Sequence, residues 1–252
     1  MENSQIGLSI GNSRYHWAWF LNTKLQASWD TEYLTIDRFS ESFPIDLQAL
    51  INQSQIEIDL IPIYLVSVVP NQTTIWQHLA QVKQITLADI PLNNLYPTLG
   101  IDRAVATFGA GEVYGYPVLV IDGGTALTIT GIDTNCCLVG GAILPGLRLQ
   151  ISSLYLGTAA LPEIILPHQL PLRWSDSTPG SIASGILHTV SSGIGDFIRD
   201  WHQLFPGSQI VFTGGDGELL ARYVQVDFSD KIVLDRELLF HGLAAILADR
   251  YS

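Results

Sequence analysis

The residues with the most chemical potential lie in and around glycine turns. Ile10-Gly11-Asn12-Ser13 follows one apolar run, and Asp122-Gly123-Gly124-Thr125 follows another. Each turn offers backbone N–H groups and hydroxyls at the end of a strand, an arrangement that cradles phosphate. Taken singly, each is equally an ordinary hairpin turn, since Gly-Asn and Gly-Gly are common between paired strands. Asp102 and Arg103 follow Leu99-Gly100 at the predicted start of a helix. An aspartate there either accepts a proton in a reaction or caps the helix. Arg103 has a guanidinium fork that matches a carboxylate or a phosphate, and a first helical turn is not where the helix dipole prefers a cation. Asp122 closes the apolar run Pro117–Asp122, where an acid at a sheet's carboxyl edge meets ligands or simply forms the turn.

The elements that must position these residues recur in one order. Ile6–Ile10, Tyr15–Leu21 and Lys24–Trp29 read as three strands, followed by a polar helical stretch over Ile36–Gln53. Ile61–Val69 reads as a buried strand ended by Pro70, Thr73–Val82 as a helix, and Gln84–Leu87 as a further strand. A helix over Asp102–Glu112 leads to three more strands, Pro117–Asp122, Leu127–Ile132 and Cys136–Leu144. Helices over Leu147–Leu156 and Pro179–Leu204 follow, the second with apolar Ile182, Ile186, Val190, Ile194, Phe197 and Trp201. The chain ends with a strand at Gln209–Phe212, a helix at Gly217–Val224, a strand at Lys231–Leu234 and a helix at Glu237–Asp249. Three strands, a helix, a strand and a helix, given twice, describe an internal duplication. It puts the two glycine turns at equivalent places.

Composition limits the partners. The 252 residues carry 24 acids against 12 bases, a formal charge of −12, with no basic run. Such a surface repels nucleic acid and anionic membranes. Yet one Arg, backbone amides and a metal ion can override that field locally for a small phosphorylated ligand. The two cysteines, Cys136 and Cys137, are adjacent and suit neither a disulfide framework nor a zinc site. The six histidines lack metal-binding spacing. With no signal-peptide pattern and no apolar run near the roughly 18 residues that span a bilayer, a soluble cytoplasmic protein is expected.

In this order and spacing, SIGNS (Ser9–Ser13), LGIDR (Leu99–Arg103), DGGTA (Asp122–Ala126), GGAILPG (Gly140–Gly146) and TGG (Thr213–Gly215) resemble the motifs of the type III pantothenate kinases. The resemblance runs over nearly the whole chain. It implies an α/β fold of duplicated ribonuclease H-like (actin-like ATPase) domains, each a mixed sheet with flanking helices, here placed at 1–100 and 101–252. The activity it implies is ATP-dependent phosphorylation of pantothenate, the first step of coenzyme A synthesis, by a homodimer using Mg²⁺ and a monovalent cation, K⁺ or NH₄⁺. It makes Asp102 the proton acceptor. Tyr96, Gly100, Ile101, Asp102, Arg103 and Thr178 become pantothenate-binding positions. Ser9, Ile10, Gly11, Asn12, Ser13, Arg14 and Thr125 become ATP-binding, and Asp122 holds the monovalent cation. Thr178 also reads as a helix N-cap before Pro179.

One departure stands out. The family opens its first motif with Asp, where this chain has Ser9, and its usual Thr is Ser13. The second change keeps a hydroxyl. The first removes a carboxylate that could help hold magnesium, for which a neutral hydroxyl is a poor substitute. An active kinase, a non-catalytic relative acting as an accessory factor in gene expression, and a kinase for another hydroxy-acid acceptor all fit that change.

Overall fold

The structure is a computed structural model and describes residues 4–54, 60–224 and 232–250. In chain order its elements are β1 (Ser4–Ile10), β2 (Tyr15–Leu21), β3 (Lys24–Thr31), α1 (Ile45–Ser54), β4 (Ile63–Ser67), α2 (Pro70–Gln77), β5 (Val82–Gln84) and α3 (Ile101–Tyr114). Then come β6 (Val118–Gly123), β7 (Ala126–Ile132), β8 (Leu138–Pro145), α4 (Leu147–Gly157), α5 (Thr178–Leu204), β9 (Gln209–Thr213), α6 (Gly217–Tyr223), β10 (Ile232–Leu234) and α7 (Leu238–Arg250).

The strands form two five-stranded sheets of the same topology, β3-β2-β1-β4-β5 and β10-β9-β6-β7-β8. In each, the first three strands are an antiparallel meander and the last two run parallel to the first strand, β4 beside β1 and β9 beside β6. The duplication expected from element order is therefore present in the pairing itself. Asn22 and Thr23, with φ of 49° and 62°, make the tight β2–β3 turn, a mirror-image geometry that matches strand twist.

Several boundaries differ from the sequence reading, each for a local reason. The stretch Ile36–Gln53 is a 3-10 helix over Ile36–Ser42 and then α1, because Pro44 lacks an N–H and disfavours helical backbone at Phe43. Pro70 opens α2 instead of merely ending a strand, its fixed φ suiting a first helical position. Leu79 and Val82 lie beyond α2, with Val82 beginning β5 and Leu87 in a 3-10 turn. Lys231 lies outside the described residues.

Two compact units divide the chain: Met1–Val113 with Glu237–Ser252, and Tyr114–Arg236. The boundary thus falls after α3, not at residue 100, and the closing helix belongs to the first unit. The cause is a close crossing of α3 and α7. A Cβ at Gly109 would stand 2.5 Å from the Leu238 carbonyl oxygen and 2.8 Å from the Gly242 Cα, so only glycine lets the two backbones meet.

Each unit has its own core. In the first, Trp17, Trp76, Tyr15 and Phe39 cluster on one face of the sheet, with Trp17 and Trp76 edge to face at 5.3 Å. In the second, α5 buries Ile182, Ile186, Val190, Ile194, Ile198 and Trp201 against β6, β7 and β9 residues such as Ile121, Ile129 and Phe212. Phe197, expected in that stripe, is exposed: the stripe passes through Ile198, and Phe197 sits one residue, about 100°, around the helix.

Candidate active site

The N-terminus of α3 gathers the residues suited to proton chemistry. Ala104 N–H donates to the Gly100 carbonyl at 3.1 Å, which makes Gly100 the residue that opens the helix. Asp102 therefore lies inside the first turn, where its Oδ1 accepts the Arg103 N–H at 2.7 Å. A carboxylate suits this end of the helix dipole. A Cβ at Gly100 would stand 2.7 Å from that same oxygen, so glycine keeps the space the carboxylate occupies. Burial nonetheless pushes the Asp102 carboxyl above its ordinary value, against the lowering effects of the Arg103 amide and the Arg103 charge. A carboxylate so placed is a stronger base than one in water.

Arg103 is not the surface residue its position allows. It is buried, and Nη1 donates to the Tyr96 hydroxyl at 3.2 Å, while Tyr96 itself is 41% exposed. Thr107 Oγ1 donates to the Arg103 carbonyl at 2.6 Å. Asp102, Arg103 and Tyr96 thus form one cluster, with Gly100 and Ile101 as its backbone.

The first glycine turn closes the β1–β2 hairpin. Gly11 N–H donates to the Arg14 carbonyl at 3.2 Å, and the Tyr33 hydroxyl donates to the Gly11 carbonyl at 2.6 Å. Asn12, Ser13 and Arg14 are exposed, whereas Ser9 and Ile10 are buried in the strand. Ser9 pairs with His16 on β2 and Val66 on β4, which places it on the central strand of the first sheet.

In the second unit three glycine turns meet. Gly146 N–H donates to the Thr125 carbonyl at 2.9 Å, and a Cβ at Gly146 would be driven into the Gly124 carbonyl oxygen. Asp216 N–H donates to the Gly123 carbonyl at 2.8 Å. Gly214, at φ 81°, lies so close to Asp122 that a side chain there would strike Asp122 Oδ1. DGGT, LPG and TGGD are therefore one backbone surface, with Asp122 within it and Thr125 exposed at its edge. Arg148 Nη2 donates to the buried Asp216 Oδ1 at 3.0 Å, joining the start of α4 to the turn before α6.

Thr178 lies at the first position of α5, in the second unit, and is exposed. Its expected capping role falls to Ser177, whose Oγ accepts the Gly180 N–H at 3.3 Å. Sequence reasoning also passed over Asp30, His16 and Tyr33 beside the first turn, and Asp216 and Arg148 beside the others. Hairpin register pairs His16 with Asp30 and was the available signal for those two. Asp216 directly follows the TGG motif before a helix.

Among the described residues no group of three or more His, Cys, Asp or Glu is placed to hold a metal ion. Of the two carboxylates among these glycine turns, Asp216 is engaged by Arg148, and Asp122 stands with Gly and Thr neighbours. That donor set suits a cation completed by substrate phosphates and water better than a protein cage. No described helix is long and apolar enough to cross a membrane.

Duplicated mixed sheets of this order, each with glycine turns following its first strand, define the actin-like ATPase fold. Residues 6–200 match the type III pantothenate kinase family. A type III pantothenate kinase from Nostoc sp. is 41% identical, covering 98% of this chain and 96% of its own length. One from Synechocystis sp. is 43% identical, covering 96% and 89%. The chain belongs to the type III pantothenate kinase family. A crystal structure from Campylobacter jejuni, of a protein assigned to the Baf family of transcriptional activators, superposes with a TM-score of 0.66 at 23% identity, covering 98% of each chain. At that identity the likeness speaks for the fold.

Proposed function

We propose that this chain transfers the γ-phosphoryl group of ATP to the primary hydroxyl of pantothenate, giving 4′-phosphopantothenate and ADP at the start of coenzyme A synthesis in the cytoplasm. The observation that carries the reading is the Asp102–Arg103–Tyr96 cluster at the start of α3. Asp102 takes the hydroxyl proton as the oxygen forms its bond to phosphorus and the bond to the ADP oxygen breaks. Its burial-raised basicity suits that task. Arg103, held by Tyr96, pairs with the pantothenate carboxylate, with the Gly100 and Ile101 backbone beside it. In the first unit Ser9–Arg14, and in the second Thr125, offer backbone N–H groups or hydroxyls suited to the phosphates of ATP.

Magnesium, when bound, neutralises phosphate charge, and a monovalent cation does so at Asp122. Neutral Ser9 places more of the metal's coordination on phosphates and water than an aspartate there would. The homodimer is supported by large apolar side chains left outside the core before α5, among them Ile165, Leu172 and Trp174 at 90, 82 and 88% exposed. The apolar stripe of α5 is used within its own unit and is not available to a second copy.

A coupled assay with ATP, pantothenate, Mg²⁺ and K⁺ tests the reading, with sedimentation for the dimer. Turnover is expected, and omission of K⁺ lowers it. A folded chain without turnover points instead to a non-catalytic relative, which the neutral Ser9 would favour. Turnover only with another hydroxy acid reassigns the acceptor.

A further inference from the structure

His16 faces Ser9 across the β1–β2 pair and Asp30 faces His16 across the β2–β3 pair, so the three side chains share one face of the first sheet. His16 Nδ1 is 2.7 Å from Asp30 Oδ1, and Arg14 Nη1 donates to Asp30 Oδ2 at 3.3 Å. An ionised carboxylate only accepts, so Nδ1 is the donor. The His16 hydrogen bond, aided by the Arg14 charge, holds the Asp30 carboxyl below its ordinary range, which keeps it ionised. The other ring nitrogen, Nε2, is left 3.7 Å from the point where a Cβ on Gly11 would stand, over the first glycine turn.

Stability does not account for this arrangement. All three partners are about half exposed, and exposed ion pairs contribute little. Nor is Asp30 free to replace the missing carboxylate at Ser9 as a metal ligand, because each of its oxygens already serves a donor. What the geometry achieves is to fix the Arg14 guanidinium beside the first glycine turn, with His16 bracing the carboxylate that holds it.

We propose that Asp30 is a positioning residue of the nucleotide site, holding the Arg14 guanidinium for the phosphates received by the Gly11–Ser13 turn, with His16 bracing Asp30 through its Nδ1–H. The inference rests on the reading of that turn as the ATP phosphate cradle. With Ser9 neutral, no carboxylate on β1 opposes the aim. The whole chain is assayed with ATP varied at saturating pantothenate, and the His16 imidazole is followed by ¹⁵N NMR. Asp30→Ala raises the KM for ATP about tenfold, the effect of losing one charge-assisted hydrogen bond. It leaves kcat and the KM for pantothenate within about twofold, a split between substrates that a merely structural role would not give, and the shift of His16 from the Nδ1–H towards the Nε2–H tautomer reports loss of the bond to Asp30. Asp30→Glu restores most of the ATP affinity. Should Asp30→Ala fail to fold, Asp30→Asn, which removes the charge that holds Arg14, carries the same kinetic expectation. An unchanged ATP KM in a variant that turns over overturns this inference alone. A wild-type chain that neither turns over nor binds nucleotide overturns it together with the proposed function.

Discussion

The Arg103 guanidinium is tied to the Tyr96 hydroxyl at 3.2 Å while only 8% of the arginine meets solvent. A buried cation with a fixed fork is costly unless its partners remain, so the phenol orients the group as well as satisfying it. Tyr96→Phe removes one hydrogen bond to a charged donor and leaves the ring in place. The KM for pantothenate should rise about five- to tenfold, in line with the worth of such a bond. The KM for ATP should stay where it is, a split that varying each substrate separately reads directly.

Asp102→Asn keeps the shape of the side chain and removes the proposed base. Turnover should fall by at least about a hundredfold, the usual contribution of a positioned base, while circular dichroism remains that of the wild type. The stability effect has the opposite sign from that of most aspartates. Burial raises the folded-state pKa of Asp102 above its ordinary 3.8, so its contribution is fully present below the ordinary value and is lost as pH rises through the raised one. At neutral pH the ionised group penalises the fold, and Asp102→Asn should unfold at the same temperature or higher. Below the ordinary carboxylate range that advantage should vanish. In the wild type, the acidic limb of kcat/KM should lie at higher pH than an unperturbed aspartate would give.

Much of this was legible because the signals are local. Apolar runs and glycine turns placed each of the ten described strands within a few residues, and repetition of their order announced the duplication that the sheet pairing displays. The Asp102-Arg103 pair was singled out by its motif, and the two residues share the first turn of α3. What was not legible depends on distance in sequence. Asp30 becomes meaningful only when hairpin register brings it beside His16, and Asp216 only when Arg148 reaches it from α4. The unit boundary was missed because it depends on two glycines, Gly109 and Gly242, that are far apart in the chain and carry no side chain to give a pattern.

The convergence of glycine turns in the second unit gives a separate test. Gly146→Ala drives a methyl group into the Gly124 carbonyl and to within 2.8 Å of the Thr125 carbonyl oxygen, so the DGGT turn must shift. Displacing packed backbone costs about 1–3 kcal/mol. If Thr125 meets ATP, calorimetric titration with a non-hydrolysable ATP analogue should show binding weakened by about tenfold or more for a comparable loss of positioning energy. Pantothenate binding, which we propose for the α3 cluster, should be unaltered.

The crossing of α3 and α7 predicts how the proton site is held. Gly109→Ala would place its Cβ 2.5 Å from the Leu238 carbonyl oxygen and 2.8 Å from the Gly242 Cα, contacts that backbone can relieve only by moving one helix. The cost expected for such overpacking is about 1–3 kcal/mol, visible as a lower denaturant midpoint with little change in slope. Because α3 carries Asp102 and Arg103 at its other end, the displaced helix should also lower kcat, although Gly109 is two turns away from the chemistry. Gly115→Ala is the comparison that separates packing from backbone conformation: Gly115 has φ 86°, but no heavy atom lies within 4 Å of the point its Cβ would occupy. It should cost stability through its left-handed backbone alone and leave turnover intact, whereas Gly109→Ala should lose both together.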